Sequence, residues 1–445
     1  MLKISYHESM KVSWMDERLT APQKRVILWS FGALLLCLAM NAYHYSLEGA
    51  KGLYLWNRTG LFRSLILIAF IPGSLALLSF PLEKLKKKSA SKIMRGVSLA
   101  SSLIVALLSI GIFVFLFIGP RSGSVEPPRL TLINPADGIK QSSLSLTAGG
   151  IFSNSSAPLH AQPAGNSTVP ASLAPPLLRL SFSSDPHWGA ETSNNQARSD
   201  ILAHIAERKP DAFFMLGDTV ETGSKAIMWN FALADLEAII PSVPLRVLLG
   251  NHDALFGGQY LYKKAFVQKN FRSDSGSPYY YSIDAGVAKI IVLNLPWGTE
   301  QFNTRQKKWL TKTLTESNRT KPVIVLSHSF FYASGYDDPE LDKPWYDHYQ
   351  NIPVITPLFE QYGVDLVISG HNHYQEYLET NGVHYAVIGA MGGIPDPKPK
   401  YVSPASTWIA VNQHGWLDVD IYEGELVLSF RDQNNAVLHQ EHIRY

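Results

Sequence analysis

Three long apolar runs in the first quarter of the chain restrict its folding more than any other feature. Residues 26–43, 65–82 and 97–118 contain no Asp, Glu, Lys or Arg. Each run approaches the roughly 20 residues that a helix needs to cross the hydrocarbon core of a bilayer. We therefore predict three transmembrane helices. A buried core helix or a signal peptide would also explain any single run, and Pro72 and Gly73 interrupt the second one.

Basic residues surround these runs unevenly. Lys and Arg are frequent in residues 1–25 and 83–96 but sparse in the loop 44–64. Basic loops stay on the cytoplasmic side of a membrane. We therefore expect residues 1–25 to be cytoplasmic, residues 26–118 to form a multi-pass segment in the cell membrane, and the rest of the chain to be extracytoplasmic.

Composition narrows the chemistry that is available. The formal net charge is only +2, which gives no electrostatic indication of a nucleic-acid partner. The single cysteine, Cys37, excludes an intramolecular disulfide and a Cys-rich zinc site. A metal site in this chain would have to use His, Asp, Asn and Glu.

Residues 119–176 are rich in Ser, Pro, Ala and Gly and are predicted to be a linker. Strand-like stretches at 129–133 and 143–146 could add an edge strand to the domain that follows. Asn154 and Asn166 begin glycosylation sequons, which are used only in hosts that modify secreted chains.

From residue 177 to 445 the pattern predicts one domain in which short apolar strands alternate with helices. Residues 199–208 and 304–316 have helical spacing. Five apolar runs end in polar residues: 177–184, 212–216, 245–249, 323–326 and 364–368. This alternation predicts an α/β fold, in which reactive side chains gather where strands end.

The side chains at these strand ends are typical metal ligands. They are Asp185, His187, Asp218, Asn251, His328, His371 and His373. Carboxylate, amide and imidazole groups suit divalent or trivalent metals, and a pair of metals needs a bridging carboxylate. A single residue of this kind indicates little, but an ordered set at five strand ends predicts a metal centre.

The order of these motifs resembles the calcineurin-like metallophosphoesterase family. The motifs are D-x-H, G-D, G-N-H-D, S-H and G-H-x-H, and they span residues 177–393. The resemblance implies a four-layer α+β sandwich, with two β-sheets flanked by helices and metals at one edge. It implies that Asp185, His187 and His373 hold one metal, that Asn251, His328 and His371 hold the other, and that Asp218 bridges them.

The same resemblance implies a reaction. A hydroxide that bridges the two metals would attack a phosphate mono- or diester, and His252 would protonate the leaving group. The metals could be Mn, Fe or Zn, and the substrate could be lipid-linked or soluble. The alternative is a non-catalytic binding or scaffold protein that retains the fold.

Several positions keep more than one interpretation. Glu221 either orients the catalytic imidazole or is a solvated loop residue, and Asp253 either does the same or caps a turn. Residues 330–349 are aromatic and acidic and are predicted to form a substrate-facing loop. Residues 389–393 either allow close backbone approach near the metals or form a plain turn.

Two motif positions concern the type of enzyme. The motifs depart from purple acid phosphatases, because no tyrosine occurs at 219–221 and the first motif ends in His187 instead of Gly. An iron site with the colour of those enzymes is therefore not expected.

Residues 416–422, 425–430 and 436–443 alternate apolar and polar side chains, which predicts antiparallel strands that close the second sheet.

Overall fold

The computed structural model describes residues 28, 31, 32 and 35 together with 88–114, 123–139, 175–317, 319–338 and 343–445. The chain divides into two compact units, and each is described separately. In the first unit, helix α1 (Lys88–Phe113) contains the stretch Ser89–Leu108. This is the one helix among the described residues that is long and apolar enough to cross a membrane.

Helix α1 corrects the predicted start of the third apolar run. Helix α1 already includes Lys88, so Lys92 and Arg95, predicted to lie in the loop before residue 97, are helical. Lys, Ala, Met and Arg are strong helix formers, which explains this extension. Apart from the four helical residues 28, 31, 32 and 35, the predicted spans 26–43 and 65–82 lie outside the described residues and remain predictions.

The second unit consists of alternating strands and helices over its described residues. Its strands are β1 (Leu178–Ser183), β2 (Ala212–Met215), β3 (Leu245–Val247), β4 (Tyr281–Asp284), β5 (Lys289–Val292), β6 (Val323–Ser327), β7 (Tyr336–Asp338), β8 (Lys343–Trp345), β9 (Leu366–Ser369), β10 (Gln375–Thr380), β11 (Val383–Ile388), β12 (Ser406–Ala410), β13 (Gly415–Tyr422), β14 (Glu425–Asp432) and β15 (Val437–Arg444). Its helices are α2 (Asn195–Arg208), α3 (Ala226–Ile239), α4 (Asn251–Ala254), α5 (Gln259–Phe266), α6 (Thr304–Thr315) and α7 (Asn351–Tyr362).

The longer strands form two sheets. The first has the order β15-β14-β13-β1-β2-β3, and the second has the order β12-β10-β11-β9-β6-β5-β4. Strands β1, β2 and β3 run parallel, as do β5, β6, β9 and β11. Strands β7 and β8 form a separate hairpin. The predicted mixed α/β architecture of two sheets with helices is confirmed.

A single hydrophobic core fills the space between the two sheets. Leu180 and Phe182 of β1 belong to the same buried cluster as Ile324 and Leu326 of β6. Successive side chains of a strand point to opposite faces. Val325 accordingly belongs to a second cluster, which includes apolar side chains of α6 and α7. The second sheet is therefore covered by core on one face and by helices on the other.

Helix α2 covers the outer face of the first sheet. Arg208, in the last turn of α2, places Nε 2.6 Å from Oδ1 of Asp418 on β13. Asp418 also accepts a hydrogen bond of 2.8 Å from the hydroxyl of Ser181 on β1. The polar residues of β1 thus face the helix while its apolar residues face the core. This alternation gives the four layers of the sandwich.

The tail and part of the predicted linker complete the first sheet. The tail strands are antiparallel, and they join β1 through β13, with Leu178 opposite Ile421, instead of closing the second sheet. Within the predicted linker, Leu132 forms a parallel bridge to Leu245 of β3, so 129–133 does contribute to a sheet edge. The stretch 143–146 and the sequons at Asn154 and Asn166 lie outside the described residues.

Candidate metal centre

The loops that follow β1 and β2 are bonded to each other, which brings the first two motifs together. The amide of Asp185 donates to the carbonyl of Gly217 at 3.1 Å, and the amide of His187 donates to the carbonyl of Asp218 at 3.1 Å. Because β1 and β2 are parallel neighbours, both loops leave the sheet at the same edge. The parallel register therefore positions Asp185, His187 and Asp218 side by side.

Four of the predicted ligand residues have a left-handed backbone. The φ angles are 56° for Asp185, 48° for His187, 47° for Asp218 and 73° for His371. Such a conformation is uncommon in residues other than glycine and costs about 1–3 kcal/mol when the surroundings impose it. Here hydrogen bonds impose it: for example, the amide of His371 donates to Oδ2 of Asp185 at 2.9 Å.

Asp185, His187 and His373 form the first cluster of possible ligands. Their ligand atoms lie within 4.8 Å of one another. Nε2 of His373 is 3.4 Å from Oδ1 of Asp185, and Nε2 of His187 is 3.9 Å from the same oxygen. The Nδ1 atom of His373 lies 2.8 Å from the carbonyl of Ile394, so this nitrogen is the donor, and in the neutral ring Nε2 carries the lone pair.

The second cluster contains Asp218, His328 and His371, and Asn251 lies beside it. Nε2 of His328 is 2.9 Å from Oδ1 of Asn251 and 3.1 Å from Nδ1 of His371. Nδ1 of His328 donates to the carbonyl of Leu216 at 2.8 Å. This bond orients the ring and again leaves Nε2 facing the other ligand atoms.

Asp218 contacts both clusters. Its Oδ2 atom lies 3.8 Å from Nε2 of His187 in the first cluster and 3.3 Å from Nε2 of His328 in the second. Its Oδ1 atom accepts a hydrogen bond of 2.8 Å from the amide of His252. A carboxylate in this position can reach two metal ions at once.

The pKa values in the site reflect burial and the close carboxylates. Burial lowers the pKa of His328, but the charge of Asp218 outweighs it and raises the value to about 9. Burial also lowers the pKa of His373, but the nearby carboxylate of Asp185 outweighs burial and raises the value to about 9. Burial raises the pKa of Asp185, yet the nearby imidazoles of His373 and His328 lower it to about 2. The carboxylates thus create a strongly negative potential that attracts cations.

Two buried polar atoms in the first cluster have no hydrogen-bond partner, which indicates whether these residues fit a metal. Oδ1 of Asp185 and Nε2 of His187 are buried without a hydrogen-bond partner. A buried carboxylate oxygen and a buried imidazole nitrogen normally find partners. Both atoms lie in the first cluster, and the whole set combines carboxylate, amide and imidazole groups, which suits Mn, Fe or Zn. The residues therefore fit a two-metal centre, and the metal's identity stays open.

His252, Glu221 and Asp253 surround this centre. Nδ1 of His252 donates to the carbonyl of Glu221 at 2.8 Å, and its pKa is raised because Asp218 and Glu221 outweigh the effect of burial. The Glu221 carboxylate lies 2.8 Å from Nδ1 of His187 and 3.6 Å from Nδ1 of His252. Glu221 is thus no free loop residue. Its nearer partner is His187, and His252 is the more distant one.

Asp253 holds two turns together. Its carboxylate accepts hydrogen bonds from the amides of Gly250 at 2.9 Å and Val220 at 3.0 Å. Of the two interpretations of Asp253, the structure favours the cap.

Gly393 allows the backbone to approach the first cluster closely. A Cβ atom at this position would lie 2.7 Å from Cε1 of His373 and 2.8 Å from Cδ2 of His187. The amide of Gly393 donates to the carbonyl of Asp185 at 2.8 Å. Close approach, and not only a turn, explains the glycines at 389–393.

A cavity of about 180 Å³ opens beside the predicted ligands and includes residues that the sequence interpretation missed. Tyr336 and Trp345 line it and belong to the predicted substrate-facing loop 330–349. Trp297 and Asp396 also line it and were not predicted. Trp297 follows β5, whose end carries no His or Asp, so the pattern of metal-ligand residues at strand ends did not indicate it. The amide of His373 donates to Asp396 at 2.8 Å, a contact that sequence spacing did not indicate.

Comparison with known proteins agrees with this geometry. Residues 178–375 match the family described as calcineurin-like phosphoesterase. A purple acid phosphatase of Glycine max is 36% identical over 125 residues, which is 27% of this chain and 25% of that protein. Tartrate-resistant acid phosphatase type 5 of Mus musculus is 24% identical over 263 residues, which is 51% of this chain and 76% of that protein.

A solved structure shares the fold. The purple acid phosphatase isolated from yellow lupin (Lupinus luteus) seeds superposes with a TM-score of 0.51 at 17% identity, covering 60% of this chain and 53% of that one. The chain nevertheless differs from the purple acid phosphatase motifs at two places: its first motif ends in His187 instead of Gly, and residues 219–221 contain no tyrosine.

Proposed function

We propose that this chain, which carries a calcineurin-like phosphoesterase domain with purple acid phosphatase homologues, is a membrane-anchored enzyme that hydrolyses phosphate esters with two metal ions. The observation that carries the proposal is the convergence of the seven predicted ligand side chains from five strand ends on one edge of two sheets. A scaffold protein would not need this complete set.

The two clusters define which residues would hold the ions. Asp185, His187 and His373 would hold one ion, Asn251, His328 and His371 the other, and Asp218 would contact both. When bound, such ions make a water molecule more acidic and offset the negative charge of a phosphate group. The protein's own contribution is to present these side chains in fixed orientations, since backbone carbonyls engage the second nitrogen of His328 and His373.

His252 is proposed to donate a proton to the leaving group. Its Nδ1 atom is engaged by the carbonyl of Glu221, so Nε2 is the nitrogen that remains for a substrate. His252 lines the same cavity as the predicted ligands His187 and His371. A positioned imidazole of this kind contributes about 10²–10⁴-fold to the rate of proton-transfer-limited reactions.

The test uses the full chain, purified in detergent, stripped of metal with a chelator and reloaded with Mn²⁺. We expect metal-dependent hydrolysis of an aryl phosphate monoester, a bis-aryl diester, or both. Asp218→Asn should abolish it, and His252→Gln should lower kcat by about 10²-fold or more. His204→Gln is the matched control, because His204 lies on α2 next to Glu207 and outside the cavity. If neither the monoester nor the diester were hydrolysed, the result would instead favour a scaffold protein.

Anchoring and orientation belong to the same proposal. The length and apolar composition of Ser89–Leu108 support at least one membrane span, and the basic residues at 1–25 support a cytoplasmic N-terminus. In intact cells or spheroplasts, added protease should release the phosphoesterase domain while an N-terminal tag stays protected. Protection of the domain together with cleavage of the tag would reverse the proposed orientation.

A further inference from the structure

The cavity beside the candidate metal centre has an aromatic wall. Trp297, Tyr336 and Trp345 line it together with the predicted ligands and His252. All three aromatic residues are partly exposed and border the cavity. None of the predicted metal or proton-transfer roles uses them.

The two tryptophans form a corner around His371. The Trp345 ring is stacked on the His371 imidazole, with centroids 4.7 Å apart and planes inclined by 29°. The Trp297 ring stands nearly perpendicular to both, at 5.3 Å and 89° from His371 and at 5.7 Å and 78° from Trp345. Tyr336 lies opposite Trp345 in the register of the β7–β8 hairpin. The wall therefore starts directly at a predicted metal ligand.

Hydrogen bonds fix the backbone that carries the wall. The carbonyl of Trp297 lies 3.2 Å from the hydroxyl of Ser329, which donates to it, and 3.1 Å from Nε2 of His348. The start of the hairpin is fixed by Glu376, a fully buried residue of β10 that accepts a bond of 2.8 Å from the amide of Ser334. A backbone that is held in place, with Trp297 and Trp345 packed against each other and against His371, loses little entropy when a ligand binds.

Charge restricts what this wall can accept. Asp396 and Asp218 line the cavity, and no Lys or Arg does so among the residues that the structure describes. The phosphate group of a substrate would be neutralised at the metal centre. A second negative charge on the far side of the substrate, away from the metals and His252, would meet Asp396 and aromatic carbon, with no Lys or Arg among the described lining residues.

We propose that this site selects phosphate esters whose alcohol or phenol carries a flat aromatic ring and no second negative charge. The inference rests on the proposed function and narrows its substrate class. The ring would stack on Trp345 or meet Trp297 edge to face, in the arrangements that aromatic pairs prefer. The reaction is hydrolysis: the oxygen of water bonds to phosphorus, the ester P–O bond breaks, and the alcohol leaves with a proton.

The test compares two esters that differ only in the ring. Benzyl phosphate and cyclohexylmethyl phosphate have the same length and alkyl-type leaving oxygens, but only the first ring is flat and aromatic. For the Mn²⁺-loaded full chain, we expect kcat/KM for benzyl phosphate to be higher by about 2- to 12-fold, which corresponds to the roughly 0.5–1.5 kcal/mol of an aromatic pair. A 4-carboxybenzyl phosphate should be a poorer substrate than benzyl phosphate by a similar factor.

Variants identify the wall as the source of the preference. Trp345→Leu and Trp297→Leu should each reduce the benzyl to cyclohexylmethyl ratio toward one, and Trp345→Phe should retain most of it. The ratio is informative even if Trp345→Leu disturbs His371, because both esters are measured on the same metal-loaded preparation. Phe231→Leu, which changes a 52% exposed aromatic residue on α3, is the matched control and should leave the ratio unchanged.

The outcomes separate the two proposals. Equal efficiency with both esters in the unmodified protein, or tryptophan variants that keep the full ratio, would overturn the aromatic selectivity while the phosphoesterase function stands. No metal-dependent turnover of any ester would overturn the function, and the selectivity with it.

Discussion

Removing the Glu221 carboxylate should weaken metal binding without disturbing the fold. Oε2 of Glu221 lies 2.8 Å from Nδ1 of His187. A proton shared by these atoms leaves Nε2 of His187 free to bind an ion and makes it a stronger donor. Glu221→Ala removes the bond and the charge, whereas Glu221→Gln keeps an acceptor but removes the charge.

The structure sets the size of the effect. Partners of this kind contribute about 10–100-fold to metal affinity, which corresponds to about 1.4–2.8 kcal/mol. The Glu221 side chain is 37% exposed, so water weakens its influence on His187. We therefore expect about a tenfold loss of affinity for Glu221→Ala and a smaller loss for Glu221→Gln.

The assay is competition for Mn²⁺ or Zn²⁺ between the metal-free full chain and a fluorescent chelator, with circular dichroism as a check of folding. Glu207→Gln is the matched control, because Glu207 lies 3.5 Å from His204 in a similar pair on the surface of α2. If Glu221→Ala bound metal as tightly as the control variant, Glu221 would not orient His187 for an ion, and this interpretation would be wrong.

Three other predictions concern the candidate metal centre and Glu376, which fixes the start of the β7–β8 hairpin. Gly393→Ala should lower metal affinity, since its Cβ would overlap His373 and His187, and chelator competition measures the loss. Removing metal with a chelator should lower the melting temperature, because an ion at 100 times its dissociation constant stabilises the native state by about 2.7 kcal/mol; a melting temperature unaffected by metal would argue against a site. Burial raises the pKa of Glu376 above its ordinary value of 4.5, despite its bonds to Ser334. The ionised form is therefore disfavoured in the folded state, and the stabilisation relative to Glu376→Gln should be largest below about pH 4.5 and be lost as the pH rises through the raised value. Urea denaturation of both proteins over this range measures the difference, and a difference that is constant with pH would contradict it.

The strands that carry the predicted ligands could be located from the sequence because each is a short apolar run with a sharp polar end. Runs 177–184 and 323–326 agree with β1 and β6 to within one residue at each end. A fully buried strand has few polar residues inside it, so its end is marked clearly. The predicted ligands could be identified because they form an ordered set at five such strand ends, although any single His or Asp among them would indicate little.

Other features depend on tertiary contacts that leave no local pattern. Trp297 follows a strand end without ionisable residues, and its position beside His371 depends on how β5 and β9 pack in the sheet. The partner of Glu221 was not determined by spacing, because two imidazoles lie within its reach. The membership of the tail strands in the first sheet depends on β13 pairing with β1 across more than 230 residues of chain.

The division of the predicted ligands between two sheets has a consequence for how the protein matures. Asp185, Asp218 and Asn251 follow strands of the first sheet, whereas His328 and His371 follow strands of the second. A nascent chain that has formed only β1, β2 and β3 presents four of the seven predicted ligands and cannot retain an ion tightly. Metal capture should therefore be a late event in biogenesis, completed only after the sheets have docked and the chain beyond residue 373 has been synthesised.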